Sequence, residues 1–242
     1  GPTGSGKTTT LYSALQSLNT PEKNIITIED PVEYRLKRIR QAQVNAKAGL
    51  TFAAGLRAVL RQDPDIIMVG EIRDSETARI AVESALTGHL VLSTIHTNDA
   101  AGGLTRLTEM GVEPFLTASA TVGIVAQRLV RKLCHECKKP YRPNPALLKS
   151  LNLSADVKET TLYRGVGCFN CRNTGYKGRV GIYEIMVVDD EIREMILQNA
   201  SASQIKKVAL RNGMRSLRQD GVSRVLKGVT SLEEVLRVTN SD

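Results

Sequence analysis

Gly1-Pro2-Thr3-Gly4-Ser5-Gly6-Lys7-Thr8 opens the chain and satisfies the pattern G-x-x-x-x-G-K-[ST] at each fixed position. In that pattern the glycines let backbone N–H groups turn toward phosphate oxygens, and the start of the following helix adds its positive end. Lys7 then reaches the β- and γ-phosphates of a nucleoside triphosphate, and the Thr8 hydroxyl is suited to Mg²⁺. The expected nucleotide contacts are Gly1, Pro2, Thr3, Gly4, Ser5, Gly6, Lys7, Thr8 and Thr9. Such a loop joins a strand to a helix, so the sequence predicts a preceding strand outside this chain.

The residues that follow alternate between short apolar runs and helical stretches. Ile25 to Ile28, Asp65 to Val69 and Leu90 to Thr94 read as buried strands. Thr8 to Leu18, Phe52 to Arg61 and a segment capped by Asp74 and running to Leu86 read as helices. This alternation predicts a parallel sheet covered on both faces. Pro114 to Leu133 reads as one further helix. Beyond it come Pro140, Pro143, Pro145 and paired cysteines, the signs of a metal-stapled loop module, and then a strand over Val180 to Val188. Short helices close the chain, with capping boxes expected at Ser201/Gln204 and Ser231/Glu234. The expected organisation is an α/β core over 1–133, a four-cysteine module over 134–178 and a strand plus helical subdomain over 179–242.

Chemistry-bearing residues fall at the predicted strand ends, where open α/β sheets place their sites. Glu71 follows the second strand, with Gly70 where many phosphate-loop enzymes carry a metal-binding Asp; Glu71 is therefore expected to act on Mg²⁺ through water. Glu29-Asp30-Pro31-Val32-Glu33 packs three carboxylates into five residues. Either Glu29 or Glu33 could activate a water in line with the γ-phosphate, and an acidic surface turn is the competing reading. His96, beyond the third strand, is a candidate γ-phosphate contact; His89, before it, is a weaker one.

Cys134-His135-Glu136-Cys137 and Cys168-Phe169-Asn170-Cys171 form two C-x-x-C knuckles, the ligand set for a closed structural Zn²⁺ site held by Cys134, Cys137, Cys168 and Cys171. Four thiolates leave no place for His135. Arg128, Arg131, Lys132, Lys138, Lys139 and Arg142 cluster about the first knuckle and read as a solvated helix face, with a partner-docking patch as the alternative. The chain has 242 residues and a formal charge of +8, yet only 4% aromatic residues and no Trp, which argues against a base-stacking nucleic-acid surface. No apolar run is long enough to span a bilayer.

Taken in order, these motifs resemble the secretion ATPase superfamily, RecA-like P-loop motors of type II secretion and type IV pilus assembly. Gly1 to Tyr12 resembles its phosphate loop, Ile28 to Tyr34 its Asp box, Asp63 to Asp74 its second nucleotide motif, and Thr87 to Asp99 its His box. The cysteine pairs followed by Thr174-Gly175-Tyr176-Lys177-Gly178-Arg179 resemble the zinc-binding insert of the secretion and pilus-extension branches. Gly111 to Leu116 and Gln127 to Cys134 look closer to the type II secretion branch, with pilus extension as the alternative and a RecA-like nucleic-acid motor as a more remote one. The resemblance implies an Mg²⁺-dependent ATPase with Glu33 as general base, Glu71 positioning metal and water, and His96 on the γ-phosphate. It also implies a cytoplasmic homo-hexamer held at the inner membrane by assembly-platform and cytoplasmic-domain proteins of the machine. Arginines that reach the phosphates come from a preceding domain in that family, so this chain alone is expected to turn over slowly.

Overall fold

A computed structural model describes residues 1–144 and 161–239. Pro145 and the middle of the four-cysteine module lie outside the described residues, as does the end of the tail. The described chain forms two compact units, one of residues 1–126 with 185–214 and one of residues 127–184 with 215–242.

The first unit is built on a four-stranded sheet in the order β2-β1-β3-β4, with β1 Ile25–Glu29, β2 Arg40–Gln43, β3 Ile66–Val69 and β4 Leu90–Ser93. All three pairings are parallel. Every residue of β1 and β3 is buried, which is why both read as unbroken apolar runs in the sequence. Side chains alternate across the sheet. Ile25, Ile66 and Met68 pack with Tyr12 and Leu15 of α1 (Lys7–Leu18), whereas Ile26, Ile28, Ile67 and Val69 pack on the opposite face. That second face is covered by Leu56 and Val59 of α2 (Phe52–Val59) and by Ala78, Ala81 and Val82 of α3 (Ser75–Leu86). Asp74 caps α3 as expected, accepting from Thr77 N–H at 2.8 Å. Helices α4 (Ala100–Glu109), α5 (Pro114–Ala120), α6 (Asp190–Leu197) and α7 (Ala202–Arg211) complete the unit, the last opened by the Ser201/Gln204 box.

The helix expected over Pro114 to Leu133 is corrected. It stops at Ala120, Thr121 turns to extended backbone, and Gly123–Leu133 is the strand β5, paired with β8 (Tyr176–Val187). Gln127 to Leu133 has respectable helix propensity, but a cross-strand partner along its length overrides it. The basic cluster is therefore not a helix face, although Arg131, Lys132, Lys139 and Arg142 are exposed as a solvated cluster requires. Arg128 is buried on β5, and Lys138, on β6 (Lys138–Tyr141), stacks over the Tyr163 ring at 4.6 Å and donates to the Gly228 carbonyl.

In the second unit, β6 pairs antiparallel with β7 (Leu162–Gly165), and helices α8 (Leu217–Leu226) and α9 (Leu232–Thr239) pack together. The Ser231/Glu234 box is only half formed. Ser231 Oγ accepts from Glu234 N–H at 3.3 Å, but the Glu234 carboxylate turns to two arginines instead of back to the cap. It accepts from Arg131 N–H (3.0 Å), Arg131 Nη2 (2.7 Å), Arg237 Nε (2.9 Å) and Arg237 Nη2 (2.8 Å), with its own side chain fully buried.

Burial alone would raise the Glu234 carboxyl, but these bonds from Arg237 and Arg131 outweigh it and hold it at about 2. Because the folded-state value lies below the ordinary 4.5, the stabilisation is complete above that pH and is lost as pH falls toward 2. Glu234→Gln is therefore expected to cost about 3 kcal/mol at pH 7, the typical penalty for breaking a buried pair. Urea unfolding of parent and variant should converge as the pH falls from 4.5 toward 2; an undiminished gap near pH 2 would count against the pair as its source.

Candidate functional site

Parallel register lines up the C-terminal ends of three strands: Ile28 pairs with Val69, and Val69 with Ser93. Glu29, Glu71 and His96 therefore leave the sheet along one edge. The alignment continues past the strands, since Ile72 N–H donates to the Thr94 carbonyl at 2.9 Å and Thr94 Oγ1 to the Gly70 carbonyl at 2.7 Å. Glu71 and His96 consequently meet, with His96 Nε2 lying 3.3 Å from Glu71 Oε2.

Gly70 has a steric reason. A methyl there would sit 3.2 Å from the Ile28 carbonyl oxygen and 3.3 Å from Glu29 Cα, a crowded fit against backbone, and the carboxylate stands one residue on, at Glu71. The Glu71 side chain is 12% exposed and accepts from Arg73 Nε at 2.5 Å. That hydrogen bond holds Arg73 above its ordinary value.

The Gly-rich loop reaches the same edge: the Gly1 nitrogen donates to the Ile95 carbonyl at 3.2 Å. Gly4 and Gly6 adopt positive φ values of 76° and 89°, the conformations that turn the loop into α1. Gly6 is the N-cap and gives no side-chain capping bond, and the first turn carries no acidic residue, so the positive end of a 12-residue helix is left for an anion. Lys7 Nζ folds over the loop and donates to the carbonyls of Gly1 (2.7 Å) and Pro2 (3.0 Å). Ser5 is buried, while Pro2, Thr3, Gly4 and Thr9 are exposed and Thr8 is half-buried in the first helical turn.

The two carboxylates left open by sequence separate here. Glu29 is 2% exposed and accepts from Tyr12 Oη, from Thr27 Oγ1 (2.6 Å) and from Gln41 Nε2 (3.0 Å), a fully engaged buried group. Glu33 is exposed, in the loop that follows the cis Asp30–Pro31 bond. Sequence reasoning missed Arg73, Tyr12 and Gln41, whose partners are set by tertiary contacts and carry no spacing signal. It also missed Lys206, which bonds Asp99 Oδ2 at 2.9 Å and ties α7 to the loop after His96.

In the second unit, Cys134, Cys137, Cys168 and Cys171 come together, their sulfurs all within 4.8 Å of one another. Three of the separations are 3.8, 3.8 and 3.7 Å. Four sulfurs at tetrahedral corners about 2.3 Å from a central metal lie about 3.8 Å apart, whereas a disulfide needs about 2.05 Å. Backbone N–H groups of Cys168 (3.3 Å) and Gly175 (3.2 Å) point at Cys171 Sγ and, against the opposing effect of burial, favour its thiolate. The donor set can hold a metal ion. His135 is exposed beside Glu136 and outside the group.

The fold is an α/β ATPase fold. It is similar to the crystal structure of the pilus retraction motor PilT with bound ADP (TM-score 0.73, 30% identity, 99% of this chain and 59% of that one). It is also similar to the Legionella pneumophila ATPase DotB (TM-score 0.70, 25% identity, all of this chain and 59% of that one). The chain belongs to the family described as Type II/IV secretion system protein, whose profile matches residues 1–237. Among curated relatives, it is 59% identical over 240 residues to the type IV pilus assembly ATPase PilB of Thermus thermophilus, covering 99% of this chain and 27% of that protein. It is 56% identical over 242 residues to type II secretion system protein E of Pseudomonas aeruginosa, covering 100% of this chain and 48% of that protein. The chain thus spans between about a quarter and a half of the length of these two relatives. No helix among the described residues is long and apolar enough to cross a membrane.

Proposed function

We propose that this chain is the ATP-hydrolysing part of a type II secretion ATPase. The observation that carries the reading is the convergence on one sheet edge of the uncapped start of α1, the Glu71–His96 pair and the Glu33 loop. Gly1 to Thr9 hold the phosphates, Lys7 bonds the β- and γ-phosphates, and Thr8 with Glu71 holds Mg²⁺ directly or through water. Bound there, Mg²⁺ would supply positive charge to offset that of the phosphates. Glu33, exposed where Glu29 is sequestered, takes the proton of the attacking water, and His96 contacts the γ-phosphate while held by Glu71. The RecA-like core proposed over 1–133 carries this chemistry; the C-terminal subdomain proposed over 179–242 divides, with 185–214 packing in the same compact unit as 1–126.

In 134–178 the four cysteines hold Zn²⁺, supported by the sulfur spacing and the N–H bonds to Cys171. The relatives' type supports a homo-hexamer on the cytoplasmic side of the inner membrane, docked on platform and cytoplasmic-domain proteins. Type IV pilus assembly is the second reading, favoured by the 59% identity to the Thermus protein.

A chromosomal Glu71→Gln allele in the native host separates the two. The intact protein is expected to bind ATP but to lose about 10²-fold in hydrolysis, the scale of one missing transition-state group. Exoproteins should then accumulate inside the cell while surface pili persist. Loss of pili with secretion intact would establish the pilus reading, and undiminished hydrolysis would remove Glu71 from the site.

A further inference from the structure

Tyr12 is fully buried on α1, five residues beyond Lys7 and so about 7.5 Å along the helix axis from it. Its hydroxyl is a junction. It donates its one proton to Glu29 Oε2 and accepts from the Glu33 backbone N–H and from Gln41 Nε2, both at 3.3 Å. Its ring meets Tyr34 edge-on, with centroids 4.8 Å apart at 81°. Gln41, on β2, donates to Glu29 Oε1 (3.0 Å) and the Tyr34 carbonyl (3.1 Å) and accepts from Leu36 N–H (2.7 Å).

The geometry points to Tyr12 as a positioning residue that fixes Glu33 relative to the helix carrying Lys7 and Thr8. The inference rests on the proposed role of Glu33. Burial, and after it the Glu29 bond, raise the phenol to about 12, so the hydroxyl keeps its proton at working pH. With that proton committed to Glu29, the remaining lone pairs face Glu33 N–H and the Gln41 amide, whose two N–H groups are shared among Tyr12 Oη, Glu29 Oε1 and the Tyr34 carbonyl. Helix, strand β1 and the loop that carries Glu33 are thereby referred to one oxygen atom. Glu29 then has its own explanation as the anchor of that atom. A displacement of about 1 Å in a reacting group can cost on the order of 10²-fold in rate, so a rigid reference of this kind is worth building.

Tyr12→Phe keeps the ring and removes only the junction. In the intact protein it is expected to lower kcat about tenfold or more while leaving KM for ATP within about twofold, because the phosphate loop is untouched. Glu33→Gln should lower kcat by about 10²-fold or more, and the double variant should fall no further than Glu33→Gln, since Tyr12 acts through Glu33. Unchanged kcat in Tyr12→Phe, a matching rise in KM, or losses that multiply in the double variant would overturn the proposal. A Glu33→Gln variant with full kcat would instead overturn the assignment of Glu33 on which it rests. Should Tyr12→Phe melt early, Gln41→Leu strips the amide from the same hydroxyl and leaves the ring in place. The same split of kcat from KM is expected there, and an unchanged kcat overturns the proposal equally.

Discussion

Lys7→Ala is expected to reduce kcat/KM for ATP by about 10³-fold or more in the intact protein, a larger loss than removal of one hydrogen-bond donor from a charged transition state. Two effects combine. The ammonium is the one side-chain cation of the Gly1–Thr8 loop, and it already lies over that loop, on the carbonyls of Gly1 and Pro2. Without the ammonium, those carbonyls turn bare negative ends toward any anion that approaches the loop. Alanine removes the attraction and exposes the repulsion together.

Stability should respond little. Lys7 is half-buried in the first turn of α1, and a surface-type substitution there is worth about 0.5 kcal/mol. A melting curve within about 3 °C of the parent would therefore accompany the loss of activity. Lys7→Arg retains charge but presents a planar fork in place of a compact point charge, so it should recover some nucleotide binding without recovering hydrolysis. Fluorescent-nucleotide titration and phosphate release measure the two quantities separately. If Lys7→Ala kept hydrolysis within tenfold of the parent, the Gly1–Thr8 loop would not be the phosphate site.

How much of this was legible in the sequence depends on where each residue finds its partner. The strands β1 and β3 were readable because full burial on both faces leaves an uninterrupted apolar run. Strand β2, Arg40-Gln41-Ala42-Gln43, was not, since it has no large apolar residue and is a strand only because β1 pairs with it. Glu71 and His96 could be named from their places after strands, but their contact depends on how the β3 and β4 backbones continue past the sheet. Glu29 and Glu33 looked equivalent as letters. Burial separates them, because one carboxylate is consumed by Tyr12, Thr27 and Gln41 while the other faces solvent. The false helix over 114–133 has the same origin: local propensity was right for Pro114 to Ala120, and a strand partner more than 40 residues away decided the rest.

The four cysteines sit at the opposite extreme, with spacing that announced the site and a fold that adds its energetics. Cys137→Ser is expected to abolish stoichiometric zinc binding, because a closed four-sulfur site has no spare ligand and a serine oxygen is a poor substitute for a buried thiolate. Cys134, Cys137 and Cys171 are almost wholly buried, and together they form their own packed cluster in the second unit. With no metal bound, the four sulfurs would stand as thiols whose mutual contacts are weak. A structural zinc contributes on the order of 10 kcal/mol in small peptides. Loss of even about a fifth of that would lower the melting temperature of a domain of this size by roughly 10 °C. The damage should be local. The knuckles are joined by Cys134 N–H to the Gly175 carbonyl and Val166 N–H to the Cys137 carbonyl, so hydrogen exchange should rise at 134–138 and 165–176. Fluorescent-nucleotide affinity, which the proposed function assigns to residues of the first unit, should stay within about threefold of the parent, as expected for independent sites. Metal analysis of reduced protein checks the first expectation and exchange mass spectrometry the second. Full zinc content in Cys137→Ser would mean that this sulfur is not a ligand, and unchanged exchange after zinc loss would mean that the metal does not staple the fold.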